Sequence, residues 1–196
     1  MAELRTHREL VEHGETALVS ALLPLPAGWT VLPHLILPGH QFHHEPDDTD
    51  VVVLGPPGVF LIEYRHWHGR IEVAAEGPWQ HTFAAGGTET RPNPLPQLEA
   101  KRRGLEAFLA DRGLVRGTVQ VAAAFPDRSP VDGAPPGGVP FLALGKIVPW
   151  LTGHAAELLS REEQAAIAEQ LRPNSPRRLI NQYQLTSRLS RTEAKT

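Results

Sequence analysis

The strongest constraint on this chain is a pair of β-branched and aromatic runs on either side of the turn Gly55-Pro56-Pro57-Gly58, which predicts a β-hairpin. If Leu54 pairs with Val59, the register continues residue by residue away from the turn, and Asp50 then lies directly opposite Glu63. Like charges in this position repel each other. The hairpin therefore predicts a carboxylate pair of the kind that binds a divalent cation.

Arg65 follows Glu63 by two residues and lies on the same strand face, because side chains alternate along a strand. Hard cations such as Mg²⁺ take oxygen ligands, typically one or two carboxylates together with substrate phosphates. The pattern favours a site in which Asp50 and Glu63 bind Mg²⁺ or Mn²⁺ with Arg65 beside the phosphate. The alternative is an exposed strand end where Glu63 and Arg65 pair, a contact that contributes only about 0–1 kcal/mol.

Six motifs occur along the chain in the order and spacing expected for a known family. They are Gly14-Glu15, Asp50, 58–63, 67–71, Trp79 and 93–97. On these motifs the segment from about residue 10 to about residue 125 resembles the nuclease-related domain (NERD) family of the PD-(D/E)xK nuclease-like superfamily. The resemblance implies an α/β fold with a restriction-endonuclease-like mixed β-sheet core flanked by helices. It also implies a divalent-metal-dependent nuclease that hydrolyses DNA phosphodiester bonds.

The same resemblance implies five catalytic residues, of which Asp50 and Glu63 are the metal ligands: Glu15, Asp50, Glu63, Arg65 and Gln97. Arg65 stands where the family has lysine, which is thought to orient or activate the attacking water. Arginine can stabilise negative charge, but a pKa above about 12 prevents it from exchanging a proton near neutrality. The alternative function is a catalytically weakened domain that binds nucleic acid or a partner protein.

Glu15 lies on the apolar stripe of a helix predicted over residues 3–23. A carboxylate on such a stripe is costly unless it is paired or bound to a metal. Glu15 therefore either faces the metal site, as the resemblance implies, or extends to water and pairs with Arg8.

Gln97 opens a helix predicted over residues 95–111. It either completes the site or is an ordinary polar residue of a first helical turn. Three cations follow on the same helix, and they are expected either to contact a nucleic-acid backbone or to form a solvated face: Lys101, Arg102 and Arg103.

Histidines form a second pattern, with three in a loop and two flanking Trp67: His40, His43, His44, His66 and His68. Scattered surface histidines are one interpretation. A zinc site made by His66, His68 and a loop histidine, in a zinc-stabilised module, is another. In a third, His43 or His44 acts as a base in place of the family lysine.

The remaining apolar runs and turn signals predict further elements. We expect strands at about 30–37, 70–75, 79–83, 119–124 and 141–144, loops over 84–93 and 126–140, a helical stretch near 147–159, and a helix to Leu171 that is opened by a capping box at Ser160 and Glu163.

Composition limits the functional classes. The 196 residues are the size of one domain with appendages, which we expect to be a nuclease-related domain over 1–172 and a basic tail over 173–196. The net charge of −3 gives no global positive field, so any contact with DNA must be local. The absence of cysteine excludes disulfides and thiolate metal sites. Residues 1–20 lack an apolar signal segment, so we expect a cytoplasmic protein without membrane contact.

The basic tail has three interpretations. It is a nucleic-acid arm, a solvated terminus or a docking helix. DNA and a partner protein are the expected partners, and the sequence does not fix an oligomeric state.

Overall fold

The computed structural model describes residues 16–33, 48–114, 117–133 and 136–172. Within these ranges, helix α1 is seen over 16–22. The other helices are α2 (Leu95–Ala110), α3 (Ile147–Thr152) and α4 (Arg161–Leu171), with 3₁₀ turns at Pro136–Gly138 and Leu144–Lys146. The strands are β1 (Thr30–Pro33), β2 (Asp48–Gly55), β3 (Gly58–Arg65), β4 (Gly69–Glu72), β5 (Trp79–Phe83), β6 (Thr88–Arg91), β7 (Gln120–Phe125), β8 (Val131–Asp132) and β9 (Phe141–Ala143).

The larger sheet has the strand order β1-β2-β3-β7-β9. Its first three strands are antiparallel, and β3, β7 and β9 run parallel. The predicted hairpin register is confirmed, because Leu54 pairs with Val59 and Asp50 with Glu63. Gly58 adopts a φ of 138°, which favours glycine and closes the turn at this position.

Side-chain alternation divides this sheet into two faces. One face carries Phe60, Ile62 and Tyr64 and packs against α1 and α3. The other carries Val52 and Leu61 and packs against apolar residues of α2. Since successive residues point to opposite faces, Asp50 and Glu63 share the face of Val52 and Leu61. The carboxylates therefore lie beneath α2.

The smaller sheet has the order β6-β5-β4-β8. Its β4–β5 pair was predicted, but two loop predictions were wrong. Residues 84–93 include β6, and residues 126–140 include β8. Strand β6 is an edge strand with the polar sequence Thr-Glu-Thr-Arg, so it lacks the alternating apolar residues that predict a strand. It forms through backbone pairing with β5. Strand β8 has only two residues and is formed by pairing with the distant β4.

Helix ends follow local chemistry. Helix α2 begins after Asn93-Pro94, where Asn93 Oδ1 accepts a 2.9 Å hydrogen bond from the Leu95 backbone N–H. The predicted capping box of α4 is confirmed, since the Ser160 side chain accepts from the Glu163 N–H and the Glu163 carboxylate accepts from the Ser160 N–H. Helix α3 ends at Thr152, earlier than the predicted stretch to 159.

Several predictions lie outside the described residues: the helix before residue 16, the strand beyond Pro33, the loop histidines His40, His43 and His44, and the tail over 173–196. No helix in the described ranges is long and apolar enough to cross a membrane.

Candidate active site

Asp50 and Glu63 form a buried carboxylate pair at the point where β2 and β3 meet beneath α2. Their exposed fractions are 3% and 1%. Removing two like charges from water costs several kcal/mol for each ion unless cations and hydrogen bonds compensate. The pair therefore requires positive charge at close range.

Lys101 of α2 supplies that charge. Its Nζ lies 2.9 Å from Glu63 Oε2 and 3.2 Å from Asp50 Oδ2, and the side chain is buried. Burial alone opposes the charged form, but the carboxylates of Asp50 and Glu63 outweigh it and raise the pKa of Lys101 above its ordinary value. Lys101 is thus an ammonium ion shared by both carboxylates.

Arg65 occupies the other oxygen of Glu63. Its guanidinium donates to Glu63 Oε1 and also to Gln97 Oε1, the second bond at 2.9 Å. The guanidinium carbon lies 5.6 Å from the centroid of the Trp67 ring, within cation–π range. Gln97, in the first turn of α2, thus orients Arg65 toward the carboxylate pair.

The four charges of Asp50, Glu63, Arg65 and Lys101 sum to zero. Both oxygens of Glu63 contact a cation, whereas Asp50 Oδ1 is buried and has no hydrogen-bond partner among the described residues. Among the described residues, this oxygen can therefore still accept a hydrogen bond or bind a cation.

Asp50 and Glu63 offer the kind of oxygen donor that Mg²⁺ commonly uses, since this ion is typically held by one or two carboxylates and keeps several waters. Asp50 Oδ1 is already available, while access to Glu63 would require Lys101 Nζ to shift. No group of three or more His, Asp or Glu side chains in the described ranges is arranged to hold a metal. Any such ion would depend on Asp50 and Glu63 alone among these residues.

The structure brings four of the five predicted catalytic residues together: Asp50, Glu63, Arg65 and Gln97. Their catalytic roles remain predictions. Glu15 lies outside the described residues.

Sequence reasoning missed Lys101 as a site residue, and the expectation of a solvated face was wrong for it. Its side chain is buried and contacts Asp50 and Glu63. Arg102 is held by Glu99 at 2.6 Å and Glu106 at 2.7 Å, and Arg103 lies 3.5 Å from Glu99. A usable signal was present, because Lys101 follows Gln97 by four residues and shares its helix face.

Comparison with known families identifies the protein family of the segment that contains this buried site. The model of the nuclease-related domain matches residues 11–126, a segment that includes the whole site. The chain belongs to the nuclease-related domain (NERD) family. Family membership and the two mixed sheets confirm the predicted restriction-endonuclease-like fold class.

Among curated proteins, this NERD domain is similar to "Probable kinase PglW" of Streptomyces coelicolor, with 29% identity over 118 residues. The match covers 59% of this chain but 7% of that protein, so it concerns a small segment of the relative. No solved structure matches the chain.

Proposed function

We propose that this NERD domain is a divalent-metal-dependent nuclease that hydrolyses DNA phosphodiester bonds, with Asp50 and Glu63 as the carboxylates of its catalytic site. The observation that carries the proposal is the contact of Lys101 Nζ with both carboxylates. A lysine beside an acidic pair is the charge set of the family's Asp and Glu-x-Lys motif, although the lysine comes from α2 instead of β3.

Energetics favour function over a structural role for these residues. The same sheet face is filled elsewhere by Val52, Leu54 and Leu61. Replacing a buried ion pair by apolar residues of similar volume is often neutral or stabilising by about 1–4 kcal/mol. Buried charge clusters of this kind occur preferentially where chemistry requires them.

The proposed roles follow from the contacts. Asp50 and Glu63 would hold Mg²⁺ or Mn²⁺, with Glu15 acting through water as the family resemblance implies. When bound, the ion polarises a phosphoryl oxygen and lowers the pKa of a bound water. Lys101 Nζ carries its proton and donates hydrogen bonds toward the attacking or phosphoryl oxygen, because its raised pKa disfavours action as a base.

Arg65 would stabilise the negative charge that develops on the phosphoryl group. Its guanidinium already spans Glu63 and Gln97, so it is oriented before substrate binds. A positioned cation in a site that excludes water contributes more than the same cation in solution. Gln97 is then a positioning residue for Arg65.

A nuclease assay tests the proposal directly. The full chain is incubated with single- and double-stranded DNA in Mg²⁺, in Mn²⁺ and in EDTA, beside Asp50→Asn and the exposed control Lys146→Gln. We expect metal-dependent cleavage that is lost in Asp50→Asn and retained in Lys146→Gln. Equal cleavage by wild type and Asp50→Asn would overturn the proposal.

The second candidate is a catalytically weakened domain that binds nucleic acid or a partner protein. The observation that favours it is that the two carboxylates of the site are already balanced by two cations. Arg65 and Lys101 each contact one oxygen of Glu63, where a metal ion would otherwise bind. An attached domain or partner would supply the DNA affinity that a net charge of −3 does not. DNA binding without cleavage in any metal would support this second function.

A further inference from the structure

His66 and His68 form a second cluster of metal-binding side chains, separate from the carboxylates. Their Nε2 atoms lie 2.6 Å apart, and their rings meet edge to face with centroids 4.4 Å apart. We propose that His66 and His68 form a two-nitrogen clamp for a transition-metal dication such as Zn²⁺. This site is independent of the proposed nuclease chemistry.

The backbone that carries both histidines is held firmly in place. Between them, Trp67 is buried, its N–H donates to Arg65 O at 2.8 Å, and its carbonyl accepts from Ser129 Oγ at 2.7 Å. The carbonyl of His68 lies 3.1 Å from Nε2 of the buried His81. Little conformational freedom remains to be lost at the backbone when an ion binds, which favours affinity.

The ring nitrogens are also oriented for a shared cation. Two nitrogens at 2.6 Å share at most one proton, and two deprotonated nitrogens would direct their lone pairs at each other. With Zn–N bonds of about 2.0–2.1 Å and tetrahedral angles, the nitrogens would lie about 3.3 Å apart. Opening the 2.6 Å contact by about 0.7 Å would therefore admit the ion in place of the shared proton.

Solvent reaches the pair through His68, which is exposed, so an ion can enter from water. Zn²⁺ commonly takes four ligands, and the pair would supply two of them. No third His, Asp or Glu side chain within the described ranges is placed to join the pair. We expect one ion for each chain.

Ligand chemistry and position separate this site from the carboxylates. Imidazole nitrogens suit Zn²⁺, Cu²⁺ and Ni²⁺, whereas carboxylates suit Mg²⁺ and Mn²⁺. The His66 ring lies 5.9 Å from the ring of Tyr64, which belongs to the sheet face opposite Glu63. The two clusters can therefore be tested one at a time.

Isothermal titration of the full chain with Zn²⁺ tests the proposal. His66→Gln and His68→Gln are compared with two controls: His154→Gln, a half-buried histidine outside the pair, and Asp50→Asn, a carboxylate of the candidate active site. We expect one Zn²⁺ site that weakens by roughly tenfold or more in each variant of the pair and is unchanged in both controls. Circular dichroism melting checks that every variant is folded.

Three results would overturn the proposal. These are no Zn²⁺ binding by wild type, unchanged affinity in both His66→Gln and His68→Gln, and loss of binding in Asp50→Asn. As a second measurement, NMR of the imidazole resonances should show Zn²⁺-induced shifts at Nε2 of both His66 and His68. Shifts confined to other histidines would equally reject the site.

Discussion

Lys101 Nζ lies 2.9 Å from Glu63 Oε2, so a helix supplies the ammonium that strand β3 lacks at position 65. The two residues are 38 positions apart in the chain, yet both are buried at the same point of the sheet. Arg65 and Lys101 thus each contact one of the two oxygens of Glu63. The two cations are therefore separable by mutation.

Removing Lys101 should destabilise the protein in metal-free buffer. Lys101→Met leaves Asp50 and Glu63 buried with one cation fewer, and breaking a buried ion pair costs about 3–5 kcal/mol. Urea unfolding in EDTA measures the loss, with the exposed Lys146→Met as the matched control. If both variants unfold at the same urea concentration, the contact of Lys101 with the carboxylates contributes nothing to stability.

Cleavage should depend on an ammonium group and not on its position in the chain. We expect Lys101→Met to lower kcat by about 100-fold or more, the usual effect of losing one positioned donor. Adding Arg65→Lys to this variant should restore part of the activity, because lysine then returns to the family position on β3. A double variant no more active than Lys101→Met would show that lysine on β3 cannot replace Lys101.

Mg²⁺ or Mn²⁺ should raise the melting temperature of the wild-type protein, since a ligand of the folded state alone stabilises it by about 2.7 kcal/mol at 100 times its Kd. Asp50→Asn should abolish this shift, because it removes the charge of the carboxylate whose Oδ1 is uncommitted. Thermal melts in a metal titration provide the measurement. A shift of the same size in Asp50→Asn would place the ion elsewhere.

Tyr64 should make stability depend on pH in the alkaline range. Burial, followed by the charge of Asp127, raises the pKa of Tyr64 from 10.0 to about 12. The neutral phenol is favoured in the folded state, so its contribution is complete below pH 10 and is lost as the pH rises from 10 to 12. That loss is at most about 2.7 kcal/mol.

Urea unfolding between pH 9 and 12 of wild type and Tyr64→Phe isolates this effect, because the other groups that titrate there are common to both proteins. The wild type should lose more stability than Tyr64→Phe over this interval. Parallel pH profiles would show that ionisation of Tyr64 is not coupled to folding.

The sequence by itself determined the local geometry of the site. The short turn Gly55–Gly58 fixes the hairpin register, since the strand residues on either side of it are apolar and buried on both faces and do not select a register by themselves. Asp50 therefore had to lie opposite Glu63, and Arg65 had to share their face. The capping box at Ser160 likewise fixes a helix start through contacts only three residues apart.

Tertiary structure decided which charges meet these carboxylates. Lys101 lies on the same stripe of α2 as Leu98 and Leu105, so local periodicity indicates a buried face without saying what it packs against. Its contact with Glu63 exists because apolar packing of α2 on the sheet sets the rotation of the helix. Strand β8 also forms only through pairing with the distant strand β4, whereas the polar strand β6 pairs with its neighbour β5 across a short turn. Local sequence pattern determines secondary structure and the pairing of neighbouring strands, whereas contacts between distant segments depend on how whole helices and strands pack.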